Sequence, residues 1–237
     1  MKLEILCLFI FLNSFAYSQN LEDLIKDGNS HLKERNYQLA IENYNKVLEI
    51  KPKIVGIQNN RGYAYLILRK YGLALDDFNK VIKIAPEWSY VYYLKGYARL
   101  QILEVNELDN LKKEKQKKEK QNNQGDFVYS EKTYNHNELD DEYKQRKFKG
   151  KEESTQKLTT NDFKAKKDYE GGLKDFSKYI ELEKKKKSEA TYIATSYFLR
   201  GFCKYKLKDF EGGCQDFNEA VKLGLNSTNK FISYYCD

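Results

Sequence analysis

Few residues in this chain are of a type and spacing to do bond chemistry. It has two histidines. His31 sits in a helical run at the phase of Tyr65 and reads as a core or boundary residue; His136 stands in a polar stretch. General acid–base work needs carboxylates that converge. Asp76-Asp77 and Asp140-Asp141 are adjacent pairs, and neighbours in sequence do not face each other on a helix, so both read as solvated charge. There is no Gly-x-Ser-x-Gly nucleophile turn, no Gly-rich phosphate loop and no His-Glu-x-x-His metal helix. The cysteines include no Cys-x-x-Cys pair, so their pattern does not suggest zinc. The expectation is a non-enzymatic chain with no metal and no cofactor.

Recognition chemistry is better represented. The chain holds 20 Tyr and 13 Phe, and aromatic side chains give large contact area at low entropy cost. What positions them is a period. Gly28, Gly62 and Gly96 recur every 34 residues, as do Ala40 and Ala74, Tyr44 and Phe78, Val47 and Val81, and the only two prolines, Pro52 and Pro86. Each period reads as a first helix carrying the Gly, a short turn, and a second helix carrying the Ala and the aromatic residue. Proline follows, because it cannot continue a helix. The small residues let the two helices approach closely, and the large aromatic fills the next layer.

This period and its small–small–aromatic–Pro pattern resemble the tetratricopeptide repeat. The resemblance implies an all-α fold: an α-solenoid of about four helix-turn-helix units with a short C-terminal capping helix. Repeat one covers 21–54 and repeat two 55–88. Repeat three opens normally, but its second helix resumes only at Tyr169, where Gly172 takes the place of Ala74 and Phe176 that of Phe78. Residues 103–166 therefore read as a charged, low-complexity insertion. Its first part lengthens a helix, since Lys, Glu and Gln are good helix formers. Its middle, from Gln121 to Thr160, has no apolar periodicity and reads as disordered. Repeat four carries Gly201, Gly213 and Phe217. The tail after Asn226-Ser227-Thr228, read as a helix N-cap, is the cap that a stacked array requires. The expected division is thus 1–18, 19–102, 103–166 and 167–237.

Residues 1–18 read as a secretory signal peptide, with a basic start, an apolar run over Ile5–Leu12 and an Ala16-Tyr17-Ser18 cleavage site. The run is too short to span a bilayer, so no membrane span is expected once it is removed. The net charge of +7 and pI near 8.9 arise from bases scattered among acids, the mark of solvated helix faces rather than of a nucleic-acid surface. After cleavage Cys203, Cys214 and Cys236 remain. Cys203 lies about 200° round the helix from Gly201, which argues against a bond to Cys214, and the phase favours Cys214–Cys236. An Ala/Gly-Cys-x-Asp segment before a final Tyr-Cys is similar to the C-terminal end of exported tetratricopeptide proteins of Gram-negative bacteria. That likeness implies export to the periplasm or cell envelope.

In such stacks the first helices line the concave face. The positions flanking each repeat Gly place Asn29, then Asn59, Asn60 and Tyr63, then Tyr90, Tyr93 and Tyr97, and finally Phe198, Phe202 and Tyr205 in a candidate binding groove. The groove grows more aromatic towards the C-terminus. Asn29 and Asn60 fall where some members hold a C-terminal carboxylate, but Ile25, Tyr90 and Leu94 occupy the basic positions of that clamp, so it is rejected. The reading is a scaffold that binds a protein or peptide. Its alternative is a structural spacer of a larger envelope assembly, with no free peptide ligand.

Overall fold

A computed structural model describes residues 21–122, 160–186 and 192–236. The leader expected over 1–18, and the stretch 123–159 with His136, Asp140 and Asp141, lie outside them. The regular elements among the described residues are helical: α1 over 21–33, α2 Tyr37–Ile50, α3 Val55–Ile67, α4 Tyr71–Ile84, α5 Ser89–Asn122, α6 Thr160–Lys186, α7 Ile193–Lys206, α8 Phe210–Lys222 and α9 Asn229–Tyr235. None is long and apolar enough to cross a membrane. The described residues fall into two compact units, drawn from Met1–Glu104 with Ala165–Asp237 and from Val105–Lys164.

The first unit is built on one packing rule used four times. Each repeat Gly faces the ring of the aromatic residue on the paired helix. A methyl group at Gly28 would stand 2.7 Å from the Tyr44 ring. At Gly62 it would be 2.8 Å from Phe78, at Gly96 2.8 Å from Phe176, and at Gly201 2.9 Å from Phe217. All four rings are fully buried. At Gly201 the approach is closest to rigid, because the added carbon would also lie 2.8 Å from the Gly213 carbonyl oxygen. Backbone cannot turn aside as a side chain can, so both glycines of this pair are required.

The pair Gly96–Phe176 completes repeat three across the interruption. An ion pair shows the same register. Lys95 Nζ meets Asp175 at a sequence separation of 80, where Arg61–Asp77 and Arg200–Asp216 use 16. The excess is a 64-residue interruption of the repeat, carried between the Gly of α5 and the aromatic residue of α6. Those helices themselves extend past the repeat boundaries, α5 to Asn122 and α6 back to Thr160.

The turns between paired helices share one geometry. Arg35, Arg69 and Lys208 hold φ of 63°, 57° and 70°. The following N–H groups close back on the helix: Asn36 to the His31 carbonyl at 2.8 Å, Lys70 to Tyr65 at 2.9 Å and Asp209 to Lys204 at 3.0 Å. These bonds satisfy carbonyls that the helix end leaves open, and glycine is the usual residue there.

Two sequence expectations are corrected. Asp77 is not solvated: it is 1% exposed, and the Arg61 guanidinium donates to both its oxygens at 2.7 and 2.8 Å. Asn226-Ser227-Thr228 does not cap α9 through a side chain; it forms a 3-10 turn in which Thr228 is buried. Cys203 is a free thiol, but it is buried against the previous repeat, with its Sγ 3.2 Å from where a Gly172 Cβ would stand. Cys214 and Cys236 are joined by a disulfide, Cα to Cα 5.7 Å, which ties α8 to the end of α9.

Candidate aromatic recognition face

The candidate groove residues separate into three groups. The asparagines are the first. The Asn29 Oδ1 accepts from the Tyr44 hydroxyl at 2.9 Å and from the Asn60 Nδ2 at 3.1 Å, so Asn29 and Asn60 stitch repeat one to repeat two. Asn59 is buried, 7% exposed, on the inner side of α3.

The second group is the stripe of repeat four. Phe198 packs against Phe217 at 5.6 Å and Phe231 at 4.8 Å between ring centroids. Tyr205 meets Phe210 at 4.9 Å and Tyr235 at 4.4 Å. Phe202 lies edge-on to Tyr169 at 6.2 Å, with Lys206 Nζ 5.5 Å from its centroid. Phe231 and Tyr235 belong to α9, so the C-terminal helix covers this stripe, and the disulfide holds that helix in place.

The third group is the stripe of repeat three. Tyr90, Tyr93 and Tyr97 stand one turn apart along α5 with nearly parallel rings, 6.0 Å and 6.5 Å between centroids. Tyr93 rests edge-on against buried Phe176 at 6.3 Å and beside Tyr179 at 5.7 Å, which locks the row to the core. Tyr192, on the segment leading into α7, stacks on Tyr93 at 4.6 Å and tilts over Tyr90 at 5.5 Å. Sequence reasoning missed Tyr192. It precedes the helix and so falls outside any helical stripe; only its place before the repeat-four helix could have flagged it. Tyr97 and Tyr192 are each 37% exposed, and Ile67 is 43% exposed. Tyr63 is half-buried on α3.

The electrostatics of this face follow from burial. Burial pushes the Tyr93 phenol up to about 12, with Tyr192 adding to it, and Tyr179 likewise to about 12, with Glu183 adding to it. Tyr90 is raised strongly by burial and then by Tyr192. Tyr63 is raised by burial, then by Tyr37 and Tyr192. Tyr63, Tyr90, Tyr93 and Tyr179 are therefore neutral at physiological pH, and the face presents flat rings edged with hydroxyl groups, each able to donate and to accept. Such a surface offers contact area and hydrogen bonds but no phenolate nucleophile. No cluster of His, Cys, Asp and Glu suited to a metal ion is present among the described residues.

Comparison with known proteins agrees with this architecture. The family model described as the tetratricopeptide repeat matches residues 28–54 and 55–87. No curated protein matches the chain. Among solved structures, a MamA protein has a TM-score of 0.54 at 12% identity, covering 87% of this chain and 74% of its own. A MamA RS-1 ArsTM double mutant has 0.53 at 17%, covering 92% and 83%. MamA from residue 41 to its end, from Desulfovibrio magneticus RS-1, has 0.52 at 17%, covering 88% and 78%. At these identities the likeness shows the fold. Residues 28–54 and 55–87 are tetratricopeptide repeats, and the described residues have the all-helical architecture of a tetratricopeptide solenoid.

Proposed function

We propose that this protein is a non-enzymatic scaffold that takes a protein or peptide partner on the tyrosine row of repeat three, in the periplasm or cell envelope of a bacterium. The observation that carries the reading is the half-open row of Tyr90, Tyr93 and Tyr97 with Tyr192 stacked on it. Tyrosine is enriched where interfaces have one apolar and one wet side, and buried tyrosines are frequent interface anchors. The rings are pre-ordered by their contacts with Phe176 and Tyr179, so little entropy is lost on binding. Export is supported by the signal-like pattern over 1–18 and by the Cys214–Cys236 bond, since such bonds persist in oxidising compartments.

Replacing Tyr97 and Tyr192 by Ala, singly, and measuring both melting temperature and partner capture from the native envelope tests the reading. The expected outcome is lost capture with an unchanged melting temperature. Capture that survives both substitutions removes the tyrosine row as the binding surface. Absence of any partner that the intact row retains favours the spacer. The mature N-terminus, found by mass spectrometry, tests export: a chain that keeps residues 1–18 contradicts it.

A further inference from the structure

A cleft of about 560 Å³ opens where repeats one and two meet, and it shares no residue with the tyrosine row. Its lining has three unmet needs. Leu48, Pro52 and Ile84 give it an apolar floor, and Ile84 is left 46% exposed. Lys53 and Lys83 stand at its wall, exposed, with no ion pair among the described residues. Lys80 reaches only an Asp77 oxygen at 3.6 Å, and that carboxylate is already held by Arg61. Glu49 is the one carboxylate in the lining, so the wall carries a net positive charge. Finally, Gln58 is 4% exposed and lines the cleft. Its Nε2 donates to the Pro52 carbonyl at 2.7 Å, while its Oε1 has no partner. A buried acceptor left unpaired is costly, and a ligand that supplies a donor recovers that cost.

These needs describe one chemistry. An apolar side chain fits the floor, carboxylates fit the lysines, and a backbone N–H fits the Gln58 carbonyl. Inorganic phosphate supplies neither the apolar group nor the N–H; a fatty acid lacks the N–H. We propose that this cleft is a second docking site, which binds an acidic peptide segment of a partner protein. A large apolar residue seats on Leu48, Pro52 and Ile84, flanked by Asp or Glu against Lys53, Lys80 and Lys83. Opposite charges across a small interface set encounter and register more than bulk affinity, so this site selects by charge where the tyrosine row selects by contact area.

The test uses the full chain and two labelled probes, the capped hexapeptide Asp-Glu-Leu-Phe-Glu-Asp and its analogue with Lys at every acidic position, read by fluorescence anisotropy. The acidic probe binds and the basic one does not, and binding weakens as salt is raised. The double variant Lys53→Glu/Lys83→Glu weakens the acidic probe by about tenfold or more, since each pair near 4 Å in water contributes roughly a factor of five. Both lysines are exposed, so circular dichroism of this variant stays unchanged. Ile84→Ser weakens the probe too, while Tyr97→Ala does not. The proposal is overturned if the acidic probe fails to bind, or binds the double variant as well as the parent. It is also overturned if oligoglutamate without the apolar pair binds equally, or if Tyr97→Ala abolishes binding, which would return the peptide to the tyrosine row.

Discussion

Repeat three and repeat four place aromatic rings at the same positions around their glycines, yet different elements cover them. Tyr93 and Phe198 both stand three residues before the repeat Gly. Tyr97 and Phe202 both follow it by one. In repeat four, α9 lays Phe231 and Tyr235 over the stripe, so Phe198 and Tyr205 are half-buried beneath the cap. In repeat three the row is met by Tyr192, and Tyr97 keeps 37% of its surface open. Position within a repeat decides which way a side chain points; the next element in the stack decides whether it is packing or platform.

The contrast breaks first at its buried end. Phe198→Ala is expected to lower stability by about 3 kcal/mol, the low end for a buried Phe because this ring is half-buried, read as a fall in melting temperature by circular dichroism. A near-neutral result would mean that α9 does not cover the stripe. Next is the staple. Cys236→Ser, compared with the parent under oxidising conditions, is expected to cost about 3 kcal/mol, from loss of the closed loop. It should also raise binding of a hydrophobic dye as the rings of repeat four are uncovered. Peptide mapping of the parent should find Cys214 bonded to Cys236.

Cys203 sharpens the comparison kinetically. Burial pushes its thiol up to about 12, so iodoacetamide should label it only after unfolding. Rapid labelling of the native protein would mean that repeat four does not pack on Gly172. The same burial has a stability consequence. The folded-state values of Cys203, Tyr93 and Tyr179, all about 12, lie above their ordinary values of 9.0, 10.0 and 10.0. Their folded forms hold protons that the unfolded chain releases, so this stability is complete below pH 9 and is lost as pH rises towards 12. Urea titrations at pH 8, 10 and 11 should show the midpoint falling in that order. The smallest effect is at the turns: Arg69→Gly should stabilise by up to about 1 kcal/mol, because glycine accepts the φ of 57° without strain.

Much of this fold is legible in the residues. The 34-residue period gives the Gly–aromatic contacts their register, and the resumption at Tyr169 shows Phe176 to be the missing partner of Gly96. The buried ion pairs were not legible. Asp77 stands beside exposed Asp76 in a charged helix, and its partner Arg61 lies on another helix. The recurrence Arg61–Asp77, Lys95–Asp175, Arg200–Asp216 lacks a first member, because repeat one has Asp27 and Asn43 at those places. Periodicity likewise could say which residues flank each Gly but not what would cover them. Asn59 and Phe198 share the repeat phase of Tyr93, and only packing separates them. Tyr192 escaped because the segment before a helix has no period to read.

Repeat three leaves its aromatic row open at Tyr97, where repeat four has its row covered by α9. A photo-crosslinking residue placed at Tyr97 and, separately, at Phe198, followed by irradiation of the cells that make this protein, tests it most directly. The expected result is a discrete covalent adduct with a partner protein from position 97 and none from position 198, with both variants folded. Adducts from position 198 alone, or none from position 97 while the partner still co-purifies, would contradict it.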